Sequence, residues 1–378
     1  MRIWFILILL IGVLFAIYYY HPYFFKALRL TYLSGKSTAS IYDLRNFRHR
    51  AVPRGNIKPW REGARFNKYQ PSIKFQQKLK QMKTSALLVA QQGHLIHEQY
   101  FGRHNKQAVS NSFSIAKTVT ALLLGKAIEE GYIENLDQKV SEFLPQYDYS
   151  PADELTLRDL IRMSSGMDWQ ENYYHPFNVT TAAYYGNHLE ELILSRKIVQ
   201  TPGRKFSYQS GDTQLLGIIL TRVLPETLST YLSQKFWKPM GMEHSAYWSM
   251  DKTTGTEKTY CCLHATARDF LRIGQLFLQE GEWEGEQLIS SEFLKMMQTP
   301  GFDESPQYGE GLWLDEDYDP RFYLLRGHLG QYVIVIPEQE LVICRLGSRY
   351  EMDPPSQLQS KDIYYYLDGV LQMIRNDA

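Results

Sequence analysis

With 378 residues, 44% of them hydrophobic and 22% charged, the chain can bury one large core or two modest ones. Lys and Arg together number 41, as do Asp and Glu, so no positive excess recommends nucleic acid as a partner. Cys261, Cys262 and Cys344 are too few for a disulfide framework and contain no C-x-x-C pair, so they read as buried thiols.

The first element is an uncharged run over residues 3–20, about as long as a bilayer-crossing helix requires. It ends in Ala16-Ile17-Tyr18-Tyr19-Tyr20, which lacks the small residues of a cleavage site and places tyrosines where a membrane interface favours them. Residues 1–20 therefore read as a membrane anchor. No cysteine stands nearby to carry a lipid. Arg2 precedes the run while Lys26 and Arg29 follow it, so charge alone does not orient it. Residues 21–72 read as a basic extension. Its stretch 45–68 carries Arg48, Arg50, Arg54, Arg61 and Arg65 and is broken by Pro53, Gly55, Pro59 and Gly63. Such an arm either rests on anionic lipid headgroups or packs along the folded domain.

A catalytic domain is expected over 73–378. Residues 85–90 and 94–100 are apolar runs around Gln92-Gly93 and predict a hairpin. From Ser114, apolar residues at Val119, Leu122, Leu123 and Ile128 follow a helical period, and Gly131 ends the pattern. Helices and loops are expected over about 136–250, and a further helix over 265–281. Residues 333–336 and 341–346 predict a second hairpin, and 356–374 a closing helix. Strands at both ends and helices between them imply an α+β fold. One antiparallel sheet is flanked by terminal helices, and a mostly helical insertion forms the other wall of a cleft.

Ser114-Ile115-Ala116-Lys117 is an S-x-x-K. At this spacing on a helix the amine faces the hydroxyl, and a desolvated amine can take the serine proton. Ser249-Met250-Asp251-Lys252 repeats the pattern, but without apolar periodicity it reads as a loop. Tyr208-Gln209-Ser210 follows a Pro202-Gly203 turn and precedes a helical run, and Tyr208 is preferred over Tyr185 as a proton relay. His328-Leu329-Gly330-Gln331 stands just before an apolar strand. There Gly330 would let a substrate approach, and the N–H of Gln331 would join that of Ser114 as an oxyanion hole. His328 would donate a hydrogen bond or titrate near neutral pH. No metal or other cofactor is expected: there is no H-E-x-x-H, and Cys261-Cys262-Leu263-His264 lacks zinc-ligand spacing. No G-x-S-x-G nucleophile elbow occurs.

In order and spacing, Ser114/Lys117, Tyr208/Ser210 and His328/Gly330 resemble the S-x-x-K, Y-x-N and K-T-G triplets of class C β-lactamases, D,D-peptidases and related esterases. Leu155-Thr156-Leu157-Arg158-Asp159-Leu160 and Tyr308-Gly309-Glu310-Gly311-Leu312-Trp313 resemble further blocks of that group, in its 6-aminohexanoate-dimer hydrolase-like branch. The resemblance implies a penicillin-recognising fold and acylation of Ser114 by a small ester, amide or peptide, with Lys117 and Tyr208 moving the proton. It also implies an exported domain, held on the outer side of a bacterial inner membrane by the anchor. Ser210 stands in place of Asn, and His328-Leu329-Gly330 in place of Lys-Thr-Gly, so the lysine that faces a lactam carboxylate is missing. A catalytically weak protein that binds cell-wall peptides is the other reading, and joint retention of Ser114, Lys117 and Tyr208 argues against it.

Overall fold

The computed structural model describes residues 2–351 and 359–375. Helix α1 (Arg2–Tyr20) has no buried residue and is apolar and long enough to cross a membrane. Two residues later α2 (Tyr23–Leu30) begins, and the chain then runs through strand β1 (Arg48–Val52) to α3 (Ile73–Gln81). Strands β2 (Thr84–Gln91), β3 (His94–Tyr100) and β4 (Ser110–Asn111) lead into α4 (Ile115–Glu129). The insertion holds α5 (Val140–Phe143), α6 (Leu157–Ile161), α7 (Val179–Tyr185), α8 (Leu189–Leu194), α9 (Ser210–Val223) and α10 (Leu228–Leu232). Then come β5 (Ala246–Met250), β6 (Leu263–Ala265), α11 (Ala267–Leu278), β7 (Glu282–Trp283), β8 (Glu286–Gln287) and α12 (Ser291–Met297). Strands β9 (Trp313–Asp315), β10 (Phe322–Gly327), β11 (Gln331–Ile336) and β12 (Leu341–Gly347) precede α13 (Lys361–Arg375).

The main sheet is antiparallel, in the order β3-β2-β12-β11-β10-β9, and joins the two expected hairpins edge to edge. Both of its faces are covered, so its central strands are apolar throughout rather than alternating. Leu87, Val89, Ile334 and Ile343 point to α3 and α13, where they meet Phe75, Leu79, Tyr366 and Leu367. Leu88, Ala90, Val333 and Val342 point the other way, toward Phe270, Ile273 and Phe277 of α11. The fold is α+β, as the order of elements implies. The first residues of the expected closing helix, 356–358, lie outside the described residues.

Of the two readings left open for residues 21–72, packing along the domain is the one the contacts favour. Strand β1 pairs with β5 from Arg48↔Met250 to Val52↔Ala246, Arg50 meets the buried Glu257 at 2.6 Å, and the Trp60 indole donates to the Arg268 carbonyl at 3.2 Å. Asp43 is buried, accepting from the Tyr184 hydroxyl at 2.5 Å and the Asn111 amide at 3.2 Å. The arm therefore packs along the domain, which favours that reading over a headgroup-bound arm. The insertion, in turn, ends in a strand. Ser249 lies on β5, buried against His264, in a four-stranded sheet ordered β1-β5-β6-β4. Its S-x-x-K partner Lys252 is exposed, so that match is accidental.

Gly274 shows how tightly α11 sits on the sheet. A Cβ there would lie 2.5 Å from Val342 Cγ1 and 2.6 Å from Val333 Cγ1. Helix propensity favours alanine by about 1 kcal/mol, but overpacking costs about 1–3 kcal/mol. Gly274→Ala should therefore lower the melting temperature in a thermal scan. A rise would show that this helix–sheet contact is loose.

Candidate active site

Strand β4 delivers the chain into Phe113, whose φ of +46° turns it sharply, and Ser114 then caps α4 with φ −68° and ψ −4°. The Phe113 N–H donates to the Asn111 side chain at 2.9 Å, which pins the turn. Helix α4 is buried on nearly every side, from Ile115 to Gly125 without a break. Lys117, one turn in, has no route to solvent and must satisfy its ammonium inside the protein. Its Nζ reaches Ser114 Oγ at 3.1 Å, Ser210 Oγ at 3.1 Å and the Tyr260 carbonyl at 2.9 Å. Three donors thus meet three oxygens.

Burial lowers the Lys117 pKa to about 8, against the opposing pull of Glu171 and Asp212. Tyr208 hydrogen-bonds Ser114, and Lys117 Nζ sits 5.0 Å from the centre of its ring. Burial raises the phenol above its ordinary range. Of the two, Lys117 is the group whose pKa is moved toward neutrality. Tyr185, the rival, is buried at the end of α7 and lines the same cavity as Ser114.

Ser210 lines the cavity beside Ser114 and is also tied to a carboxylate. Its Oγ donates to Glu171 at 2.7 Å and its N–H to the same carboxylate at 2.8 Å, which links Lys117 to Glu171 through one hydroxyl. Glu171 also accepts from the Trp169 indole at 2.7 Å and hydrogen-bonds Tyr173. Glu171 and Tyr260 went unmarked in the sequence. Glu171 lies two residues past the Trp169 block and Tyr260 contributes through its carbonyl, so neither has a motif signature.

His328 lines the cleft, but in an unexpected state. Its ring lies 4.7 Å from that of Tyr173 and 5.4 Å from that of Phe113, and Nε2 meets the Thr38 hydroxyl at 3.2 Å. Burial lowers its pKa to about 4, so it is neutral at pH 7 rather than titrating there. Gly330 and Gln331 stand off the cleft. Gly330, at φ +79°, packs against the Arg345 guanidinium, and the Gln331 side chain is buried on the Gly347 carbonyl at 2.7 Å. A tight contact within the chain falls at Gly327, where an added Cβ would lie 2.1 Å from the Ser112 carbonyl oxygen. Arg326 lines the same side and is engaged by Gln359, Ser360 and the Trp313 ring. Cys261 and Cys262, expected as free thiols, are joined by a disulfide directly after Tyr260. Among the described residues, no group of acidic, His and Cys side chains could hold a metal.

The beta-lactamase family profile matches residues 74–362. The chain belongs to the beta-lactamase family. It is 25% identical over 244 residues to 6-aminohexanoate-dimer hydrolase of Paenarthrobacter ureafaciens, covering 61% of each. It is 24% identical over 174 residues to protein flp of Staphylococcus aureus, covering 43% of this chain and only 34% of flp. The chain thus matches about a third to three fifths of these relatives' length. In structure it is similar to a candidate 6-aminohexanoate-dimer hydrolase from Bacillus anthracis, with a TM-score of 0.76 at 22% identity over 89% of this chain and 93% of that one. It is also similar to a family VIII carboxylesterase, with a TM-score of 0.63 at 14% identity over 83% and 98% of the two chains. Identities this low carry the fold.

The charge on Glu171 favours protonated Lys117, so removing it should make the amine easier to deprotonate. In Glu171→Gln the rising limb of kcat/KM against pH, set near 8 by Lys117, should move to lower pH. A limb that stays in place or moves up would show that Glu171 does not act on Lys117.

Proposed function

We propose that the protein is a serine acyl hydrolase, cleaving esters or amides through an acyl-enzyme on Ser114. The observation that carries the reading is the buried Lys117 amine, 3.1 Å from Ser114 Oγ, with its pKa brought down to about 8. Neutral Lys117 takes the Ser114 proton as Oγ attacks the carbonyl. Tyr208, a neutral phenol bonded to Ser114, passes its proton to the departing oxygen or nitrogen, and the proton that Lys117 took from Ser114 then returns to Tyr208. The oxyanion is held by the N–H of Ser114 and a main-chain N–H of the Gly327–His328 segment, which takes over the part first expected of Gln331. Water then releases the acyl group by the same proton path reversed. The resident groups suffice for this chemistry.

The substrate reading follows from charge. The side chain nearest the position of the lactamase lysine, His328, is neutral, and Arg326 is already held by Gln359 and Ser360. Substrates without an essential carboxylate are therefore favoured over β-lactams. Helix α1 is read as a single-pass membrane anchor that leaves the catalytic domain on the outer face of a bacterial inner membrane.

A fluorophosphonate probe followed by peptide mapping should place its adduct on Ser114, and Ser114→Ala should abolish both labelling and ester turnover. On the same protein, kcat/KM for a p-nitrophenyl ester should exceed that for nitrocefin by about a hundredfold or more. An adduct on another serine with Ser114→Ala active would overturn the mechanism. Nitrocefin rivalling the ester would overturn the substrate reading.

A further inference from the structure

The cleft has a second arm that the proton-transfer groups leave unused. Beside Ser114 lies a largely apolar cavity bounded by Phe113, Tyr184, Tyr185, Thr181, Tyr173 and Ala39. A neighbouring cavity lies between α2 and the segment 173–176, bounded on the arm side by Phe24, Ala27, Leu28 and Ser37. Tyr173, Thr181 and Tyr185 line both, so the two spaces share a wall of side chains.

The arm holds this region closely. The Thr38 hydroxyl meets His328 at 3.2 Å and the Tyr173 carbonyl at 3.4 Å. The Tyr32 hydroxyl donates to the Tyr174 carbonyl at 3.2 Å, and Phe24 stacks on Phe177 with ring centres 4.8 Å apart. Around the outer cavity the surface is apolar yet open: Leu33 is 74% exposed, Tyr32 50%, Tyr174 43% and Phe177 42%. Water is a poor partner for such a rim. Helix α2 starts two residues after α1, so with α1 in the bilayer this rim lies at the membrane surface, where aromatic and aliphatic side chains are at home. At the inner end the Tyr260 hydroxyl is buried in the same cavity as Ser114 with no hydrogen-bond partner among the described residues, a donor for the polar end of a substrate.

We infer that the acyl donor is a membrane amphiphile, whose hydrocarbon chain occupies the cavity between α2 and residues 173–176 while its ester or amide carbonyl reaches Ser114. This rests on the acyl-hydrolase and anchor readings above and names the substrate class for them. The anchor then does more than tether: it sets α2 and the cavity mouth at the depth where the chain leaves the lipid. Each methylene moved from water into the cavity can raise kcat/KM by up to about fourfold until the space is filled.

The test uses the full chain in lipid nanodiscs with p-nitrophenyl acetate, butyrate, octanoate and dodecanoate, with turnover divided by the fraction of Ser114 labelled by fluorophosphonate. The kcat/KM ratio of dodecanoate to acetate should exceed about tenfold. Ser37→Trp and Leu28→Trp, which each put an indole into the outer cavity from a position that is not fully buried, should each cut that ratio about tenfold or more. Because the ratio is taken within one protein, a loss of folded enzyme cancels. A ratio near one, or a ratio that both substitutions leave unchanged, overturns the inference while the hydrolase reading stands. No hydrolysis of any ester and no labelling of Ser114 overturns the hydrolase reading, and this inference with it.

Discussion

Everything at the site depends on an amine that has been taken out of water. Lys117 sits on the first turn of a helix with no exposed side, and its Nζ is surrounded by the Ser114 hydroxyl, the Ser210 hydroxyl and the Tyr260 carbonyl. Desolvation works against the ammonium, while Glu171 and Asp212 work for it. The balance brings the amine down to about 8 from the ordinary lysine value of about 10.4, so its neutral form is far more populated near neutral pH than that of a free lysine. Full burial without Glu171 and the three oxygens would leave a charge with no partner, and the helix carrying it would be destabilised.

The surrounding architecture serves that balance. The main sheet supplies Gly327, whose missing side chain lets the strand come up against Ser112 and so close the cleft on one side. The insertion supplies Tyr208 and Ser210 at the head of α9, and the loop before α7 supplies Glu171 and Tyr173. The N-terminal arm closes the last wall, with Thr38 on His328 and Asp43 buried against Tyr184 and Asn111. The segment that follows α1 is thus part of the cleft wall, which couples the placement of α2 to the shape of the site.

How much of this was legible in the sequence follows a physical divide. The hairpins over 85–100 and 333–346 and the helix after Ser114 were legible because their apolar residues are local and periodic. The Ser114/Lys117 pair was legible because three residues on a helix fix a side-chain meeting without further help. What depends on distant segments was not. Strands β4 and β6 are two and three residues long and exist only through pairing with distant segments, β6 with β5 and β4 with β6. Strand β1 hides in an arginine-rich stretch broken by Pro53 and reads as linker until β5 is placed beside it. Glu171 reaches Lys117 through Ser210 and Tyr260 through its main chain, and neither contact leaves a spacing to recognise. The tight strand-to-strand contact at Gly327 left no signal in the sequence either, because its partner Ser112 lies far away along the chain. His328 was expected to titrate near neutrality; the rings of Phe113, Tyr173 and Tyr350 exclude the water that would let it.

The central claim, that burial makes Lys117 the resident base, can be measured on the amine itself. Selectively 13C-labelled lysine, with the Lys117 resonance assigned by loss of the signal in Lys117→Arg, can be titrated by NMR in the intact protein. The account requires the Lys117 signal to titrate near 8, apart from the surface lysines. A Lys117 signal that moves with the surface lysines, at the ordinary lysine value of about 10.4, would contradict it, because the amine would then be charged when Ser114 must lose its proton.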